Sequence, residues 1–147
     1  MPNKIPRTSG SVAMDDYLEQ IFHLIEKHGY ARPIEISQNL GISQASVTNM
    51  LKKLDEEGFV KHIKYRGTTL TEKGNTIATE IIRRHDTLTT FLRLFDVDEE
   101  VIYKDVEGME HHISRHTLAV IESLASELAD NNQLLAKLKK EVSKELS

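Results

Sequence analysis

Acidic residues and histidines recur in this chain at spacings that could place them around a metal ion. Glu107, Glu110 and His111 stand at positions i, i+3 and i+4, which share one face of an α-helix. Two carboxylates and an imidazole on one face can converge on a divalent cation, whereas the adjacent His112 points about 100° away. A solvated acidic helix face without a metal is the alternative interpretation.

Two further segments offer the same chemistry. Asp16 and Glu19 repeat the i, i+3 spacing near the start of the chain, opposite an apolar stripe, although such a pair by itself is usually a surface feature. His85 interrupts an otherwise aliphatic helical stripe, a position that an ordinary core histidine also fits. If the helices that carry these residues pack so that all six meet, the site contains four carboxylates and two imidazoles.

The composition limits what such a site could be. The chain has seven histidines and no cysteine, so disulfides, thiolate zinc sites and cysteine nucleophiles are excluded. A bound metal would therefore meet oxygen and imidazole nitrogen. At 147 residues, with 39% hydrophobic and 29% charged, the chain is globular in composition. It has space for one ordinary domain, or for a DNA-binding domain of about seventy residues with a helical second half.

The targeting signals of a secreted or membrane protein are not found in the sequence. No apolar run approaches the ~20 residues that a membrane span needs. The first thirteen residues lack the apolar core of a secretory signal. We therefore expect a cytoplasmic protein that begins with a flexible, mildly basic tail.

The charge is distributed unevenly along the chain. A net charge of -4 argues at first against a nucleic-acid partner, because phosphate neutralisation supplies much of the affinity for DNA. Residues 1–70, however, carry 9 Lys/Arg and 8 Asp/Glu, whereas residues 71–147 carry 10 and 15. The acidic excess belongs to the second half, and the first half remains a candidate for DNA binding.

The first half has the element order of a winged helix-turn-helix. Helical periodicity with capping residues and glycine stops predicts three helices: Asp15 to Gly29, Pro33 to Gly41, and Ser43 to Gly58. β-Branched and aromatic residues over 59–71 then predict a hairpin with its tip at Arg66-Gly67. A helix that lies in the major groove needs an apolar inner face and an outer face that reaches base edges and phosphates.

The third helix and the hairpin supply such an outer face. The candidate DNA-contacting residues are Gln44, Ser46, Thr48, Asn49, Lys52, Lys53, Lys64, Tyr65 and Arg66. Each basic residue taken singly is more simply a solvated surface charge, but together they lie on the two elements that a winged helix presents to DNA. The acidic end of the third helix, residues 55–57, would have to point away from the duplex.

The second half is predicted to be helical throughout. Its predicted helices run from Thr71 to Phe95, Asp98 to Ile113, Ser114 to about Ala129, and Gln133 to Leu146. In the second of these, Ile102, Val106, Met109 and Ile113 form the apolar stripe, which places the metal-binding candidates on the opposite side. The predicted fold class is mainly α with a small β-hairpin wing, with domains at 1–71 and 72–147.

Five stretches resemble the manganese-sensing regulators of the diphtheria toxin repressor family, and they extend over nearly the whole chain. They are DDYLEQIFHLIEKHGYAR, SVTNMLKKLD, YRGTTLTEKG, RRHDTLTTFLRLFDVDEE and DVEGMEHHIS. The resemblance implies an N-terminal winged helix-turn-helix and a helical dimerisation and metal-binding domain. It also implies a binuclear metal site, whose ligands fall in this sequence on Asp16, Glu19, His85, Glu107, Glu110 and His111.

Two of these positions distinguish the branches of the family. In the iron-sensing branch a methionine usually stands where Asp16 does and a cysteine where Glu110 does, and a C-terminal SH3-like domain follows. This chain has neither substitution, and we expect no such domain. The resemblance therefore implies Mn(II), with two ions per subunit, for which Co(II), Cd(II), Zn(II) or Fe(II) can substitute.

The resemblance also implies partners and a function. The expected partners are double-stranded operator DNA and a second copy of the chain, with no membrane and no small organic substrate. Metal binding would order the dimer for repression of manganese-uptake genes. Two alternatives remain: a dinuclear metal hydrolase, for which no nucleophile, oriented base or phosphate-binding loop is evident, and a metal-independent winged-helix regulator.

Overall fold

The computed structural model describes residues 10–147, and most of the predicted N-terminal tail lies outside the described residues. The described elements are α1 Val12–His28, α2 Pro33–Leu40, α3 Gln44–Glu56, β1 Val60–Ile63, β2 Gly67–Leu70, α4 Glu72–Leu94, α5 Glu99–Met109, α6 Arg115–Ala129 and α7 Asn132–Glu145. They form two compact units, which divide within α4 between Ile82 and Arg83. The predicted domain boundary at 71 and 72 lies at the start of this helix and remains a prediction.

None of the helices over residues 10–147 combines the length and apolar character that would let it cross a membrane.

The first unit is organised around one apolar core. Its buried side chains come from α1, α2 and α3, from Phe59 just before β1 and from the first half of α4: Leu18, Ile21, Ile36, Val47, Leu54, Phe59, Ile77 and Ile81. α1 begins at Val12 rather than at Asp15, because Ser11 caps it: the Ser11 Oγ accepts a hydrogen bond from the Met14 amide at 3.0 Å. The apolar stripe predicted for this helix is confirmed as its buried face.

The helix-turn-helix follows the predicted pattern. α2 begins at Pro33, and Gly41 ends it in the left-handed conformation with φ 66°. Ser43 caps α3 as predicted, since its Oγ accepts a hydrogen bond from the Ser46 amide at 3.2 Å. Val47 and Leu54 are the fully buried residues of α3, and Met50 and Leu51 also pack against the core, so the opposite face of this helix is available to a ligand.

The wing is a two-stranded antiparallel hairpin of β1 and β2. Its predicted tip at Arg66-Gly67 was correct for Arg66, which lies in the turn of residues 64–66, but wrong for Gly67, which already pairs with Ile63. Tyr65 adopts the left-handed φ of 66° there. Gly67 meets a different requirement: a Cβ at this position would lie 2.8 Å from the carbonyl oxygen of Ala31, so only glycine lets the two backbones approach.

The start of α4 contacts the segment that leads into β1 of the wing. Thr71, which was predicted to open this helix, lies just before it, and its Oγ1 accepts a hydrogen bond from the Gly74 amide at 3.1 Å. The same hydroxyl donates to the Gly58 carbonyl at 2.6 Å. Gly74 packs against the backbone of Phe59, whose carbonyl oxygen would be 1.9 Å from a Cβ at position 74.

The second unit contains the remainder of α4 and the helices α5 to α7. Its core consists of Leu88, Ile102 and Val106, with Leu92, Val97, Ile113 and Ile121 packed around them. α7 has no fully buried residue, and the Lys139 ammonium contacts the Asp96 carboxylate at 2.9 Å. The predicted fold class, mainly α with a β-hairpin wing, is confirmed.

Candidate metal centre and DNA-binding surface

The metal-binding candidates of the second unit lie where α5 ends. The helix was predicted to continue to Ile113, but it ends at Met109, and residues 110–112 form a turn. The amides of His112 and Ile113 both donate to the Met109 carbonyl at 3.1 Å, which tightens the chain beyond the helix. Glu107 is therefore on the last turn of α5, whereas Glu110 and His111 are on the turn that follows, so the helical-face argument for His111 does not apply.

Burial at this turn also differs from the sequence prediction. Met109, placed in the apolar stripe, is 42% exposed, whereas Glu110, placed on the opposite side, is 1% exposed. Glu110 follows Ile102 and Val106 at steps of four residues, so it continues the buried line of α5. A spacing of three residues fits Met109 to the same line equally well, and the sequence could not decide between them.

Four potential ligands of the second unit are close together. Glu107, Glu110 and His111 each offer a ligand atom within 4.8 Å of the others. The His85 Nδ1 on α4 lies 2.9 Å from the Glu110 Oε2, and the His111 Nε2 lies 3.5 Å from the Glu110 Oε1. The His111 side chain is 4% exposed, whereas His112 is exposed. A buried carboxylate between two imidazoles is a donor set that suits a divalent cation.

The two acidic candidates of the first unit lie on one face of α1. Asp16 and Glu19 are half-buried, next to the core residues Tyr17 and Leu18. The Glu19 Oε1 lies 3.8 Å from the Nε2 of His23. Their assignment as metal ligands remains a prediction.

Two buried charged residues were missed by the sequence analysis. Asp15, interpreted only as the acidic start of α1, is 1% exposed. Arg84 is also 1% exposed, and its Nη1 donates to the Glu110 carbonyl at 3.5 Å. The spacing of Arg84 could have indicated its burial, because Arg84 stands three residues after Ile81 and four before Leu88, inside the aliphatic stripe of α4. A buried guanidinium thus lies beside the turn that carries the candidate ligands.

An exposed ion pair fixes the other end of α5. The Arg93 Nε and Nη2 donate to the two carboxylate oxygens of Glu99 at 2.7 and 3.0 Å, a bidentate arrangement. The hydrogen bond from Arg93 lowers the pKa of the Glu99 carboxyl, and the same bond raises the pKa of Arg93. The pair connects the end of α4 to the first turn of α5, the helices that carry the four candidates of this unit.

All nine predicted DNA-contacting residues are exposed. Six belong to α3 and three to the turn of the wing. On α3, the Thr48 hydroxyl donates back to the Gln44 carbonyl at 3.0 Å, and the Ser46 hydroxyl accepts from Ser43 at 2.9 Å. At the wing, Tyr65 is 92% exposed, and Lys64 lies over its ring, 5.1 Å from the centroid. Their contacts with DNA remain predictions.

Comparison with known proteins gives a match to each half of the chain. Residues 11–68 match the family described as "Iron dependent repressor, N-terminal DNA binding domain". Residues 71–133 match "Iron dependent repressor, metal binding and dimerisation domain". The two matched segments divide the chain at the start of α4, where the wing ends.

Individual relatives agree with the family matches. The chain is 44% identical over 126 residues to "HTH-type transcriptional regulator MntR" of Lysinibacillus sphaericus, covering 86% of this chain and 91% of the relative. It is similar to the solved structure of "the manganese regulator SloR", with a TM-score of 0.69, 27% identity and 77% of this chain covered. It is also similar to "ScaR with bound Zn2+", with a TM-score of 0.66, 28% identity and 77% covered.

The chain spans 53% of the length of each of these two solved chains. The two family matches and the identity to the curated relative nevertheless extend over both of its units. The chain therefore belongs to the iron-dependent repressor family, the diphtheria toxin repressor family of metal-dependent, DNA-binding transcriptional regulators.

Proposed function

We propose that this chain is a manganese-responsive repressor that binds operator DNA as a homodimer when it is loaded with metal and represses manganese-uptake genes. The observation that carries the proposal is the cluster at the end of α5, where Glu110 is buried between His85 and His111. Such a cluster has a cost in the absence of a cation, because a buried carboxylate is poorly solvated. As a DNA-binding regulator, the protein would act in the cytoplasm.

The donor types fit manganese. Glutamate oxygens and imidazole nitrogens suit a hard divalent ion, and the chain has no cysteine that would favour a softer one. Co(II), Cd(II), Zn(II) and Fe(II) can substitute, since the Irving–Williams order predicts that several of them bind such donors at least as tightly as Mn(II). Selectivity must therefore come from geometry, ligand number and the response of the protein. The relatives named as MntR and as a manganese regulator support manganese as the physiological ion.

The proposed ligand set has six members. Asp16, Glu19, His85, Glu107, Glu110 and His111 contribute four carboxylates and two neutral imidazoles. Bound divalent cations supply positive charge that offsets the repulsion among the carboxylates, and two ions per subunit balance the four negative charges. The assignment of Asp16 and Glu19 rests on the family motif carried over position by position.

The arrangement along the chain gives these ligands a regulatory role. Asp16 and Glu19 belong to the first unit, whereas the other four belong to the second. Joint ligation would couple the DNA-binding domain to the dimerisation domain. The two recognition helices of a dimer must match two half-sites on the duplex, and we propose that the ligands hold α3 in the placement that does so, selected from many that the metal-free protein samples.

Two rival functions make different predictions for one experiment. A duplex selected from a random-sequence pool by the manganese-loaded protein is titrated with the full chain, in Mn²⁺ and in chelator, with Fe²⁺, Co²⁺ and Zn²⁺ as further conditions. We expect Mn²⁺ to raise the affinity by about 5- to 150-fold, the usual range for coupling between two sites. Equal affinity in Mn²⁺ and in chelator would instead indicate a metal-independent regulator.

The dinuclear hydrolase is not supported by the family, whose members are transcriptional regulators rather than enzymes. The hydrolase would nevertheless be supported if metal caused hydrolysis of the duplex without raising the affinity for it. The same titration therefore distinguishes all three functions.

A further inference from the structure

The segment between α1 and α2 is joined to the wing by the backbone. The Ala31 amide donates to the Thr68 carbonyl at 2.9 Å, and the Thr68 amide donates to the Ala31 carbonyl at 2.8 Å. This isolated antiparallel bridge places Ala31 beside β2 of the two-stranded hairpin. Because Gly67 lies against the Ala31 carbonyl without a side chain, the two backbones are in direct contact, and Tyr30 and Arg66 become neighbours although 36 positions separate them.

The side chains of Tyr30 and Arg66 make two contacts. The Arg66 Nη1 donates to the Tyr30 hydroxyl oxygen at 3.2 Å. The Arg66 guanidinium carbon also lies 5.6 Å from the centroid of the Tyr30 ring, within the range of a cation–π interaction. Tyr30 is half-buried, whereas Arg66 is exposed, so the tyrosine is packed within the domain and the arginine faces solvent.

We propose that Tyr30 is a positioning residue for DNA binding, which holds the Arg66 guanidinium ready for a phosphate. This inference rests on the proposed function, in which Arg66 contacts DNA. A guanidinium has five N–H donors, and the hydrogen bond to Tyr30 occupies one of them, so the rest remain available to phosphate oxygens. An arginine that is already held in place loses less conformational freedom when DNA binds.

Lys64, the other basic residue in the turn of the wing, has a different kind of contact from that of Arg66. Lys64 lies over Tyr65, which is itself 92% exposed and belongs to the same turn. The contact with Tyr65 therefore gives Lys64 no support from outside the turn. Arg66, by contrast, is held by a residue outside the hairpin, on the segment that precedes α2. Tyr30 thus holds the Arg66 side chain at a fixed position relative to the helix-turn-helix. Such a position is needed if α3 contacts the groove while Arg66 contacts the phosphate backbone.

A double-mutant cycle tests the inference. Full-length wild type, Tyr30→Phe, Arg66→Ala and the double variant are titrated, with saturating Mn²⁺, against the duplex selected from a random-sequence pool. Tyr30→Phe keeps the ring and removes only the hydroxyl, so the domain should fold. We expect it to weaken binding by about two- to tenfold, the effect of one hydrogen bond. In the Arg66→Ala background the same change should have no effect.

A second tyrosine serves as the control. Tyr103→Phe removes a phenolic hydroxyl that is exposed on α5, and it should leave DNA affinity unchanged. If Tyr30→Phe weakens binding by the same factor in both backgrounds, Tyr30 acts independently of Arg66 and the inference is wrong, although the proposed function stands. If Arg66→Ala leaves binding unchanged, the inference also fails. Loss of metal-dependent binding by the wild type itself would instead refute the proposed function.

Discussion

The imidazole of His85 and the carboxylate of Glu110 are in contact, with 2.9 Å between Nδ1 and Oε2, although 25 positions separate the two residues. An ionised carboxylate only accepts hydrogen bonds, so the contact is a hydrogen bond in the tautomer of His85 that carries a proton on Nδ1. The contact joins α4 to the turn after α5 and buries Glu110 completely, whereas about a third of the His85 side chain, 32%, stays exposed. The candidate metal centre is built around this pair.

Replacement of His111 should affect metal binding, and replacement of its neighbour should not. His111 is close to Glu107 and Glu110 and its side chain is 4% exposed, so His111→Ala removes a candidate ligand. We expect calorimetric titration with Mn²⁺ to show an affinity weakened by at least about tenfold, and DNA affinity at limiting Mn²⁺ should fall with it. His112→Ala is the matched control, because this side chain is exposed. Loss of a metal equivalent in the His112 variant, with normal titration of the His111 variant, would overturn the proposed site.

Asp16→Met should reduce the preference for manganese. The change replaces a hard oxygen donor by a soft thioether, in the direction of the iron-sensing branch. DNA binding is titrated with Mn²⁺ and with Fe²⁺ under anaerobic conditions, and the ratio of the two half-saturation concentrations is compared with that of the wild type. Asp105→Met, on the exposed part of α5, controls for the loss of a carboxylate. An unchanged ratio in the Asp16 variant would remove ligand softness at this position as a source of selectivity.

Basic residues of α3 and of the wing should account for part of the salt dependence of DNA binding. Lys52→Ala and Arg66→Ala should each weaken binding to the selected duplex and flatten the slope of log affinity against log salt by about one unit, because each removes one phosphate contact. Metal titration of both variants should be normal. Lys137→Ala, an exposed position on α7, loses the same charge and should keep the wild-type slope. Wild-type slopes in both test variants would exclude them from the DNA surface.

Two glycines should respond in opposite ways to alanine. A Cβ at Gly74 would lie 1.9 Å from the Phe59 carbonyl oxygen, whereas a Cβ at Gly108 would have no atom within 4 Å. We expect Gly74→Ala to lower the free energy of unfolding by about 1–3 kcal/mol through overpacking. Gly108→Ala, inside α5, should raise it by about 0.5–1 kcal/mol, because alanine is the better helix former. Chemical denaturation of both variants checks the pair, and a stability loss at Gly108 that matched that at Gly74 would contradict the close packing of Gly74 and the open space at Gly108.

The ion pair between Arg93 and Glu99 should give a small stability contribution that depends on pH. Because Arg93 lowers the pKa of the Glu99 carboxyl in the folded protein, the contribution is present above the ordinary glutamate pKa and is lost as pH falls through the lowered value. Glu99→Gln should therefore lower the melting temperature of the metal-free protein at neutral pH, and the difference from wild type should shrink as the pH falls below the ordinary glutamate pKa of about 4.3. Glu100→Gln removes the neighbouring charge as the control. A difference that persisted in acid would assign the effect to something other than this pair.

Much of this protein was determined by local sequence. Local features include the helix ends at Gly29 and Gly41, the caps at Ser43 and Ser114, and the apolar stripe of α1. Each of them follows from the preferences of residues that are neighbours in the sequence. The order of these elements was enough to predict a winged helix-turn-helix followed by helices. Residue types and spacing supplied the six candidate ligands, and the resemblance then supplied the family and the assignment of those residues to one binuclear site.

Tertiary structure decided the features that depend on residues distant in sequence. Helical spacing fits Met109 and Glu110 equally well to the buried face of α5, and only the packing of the folded unit shows that the methionine is exposed and the acid is buried. The turn of the wing was placed too late for a similar reason: Gly67 lies in β2, where the nearby Ala31 carbonyl and its own positive φ of 135° both favour glycine. The contacts of Tyr30 with Arg66 and of His85 with Glu110 arise when separate segments pack together, and no periodicity within one segment can reveal which side chain a distant segment will bring to it.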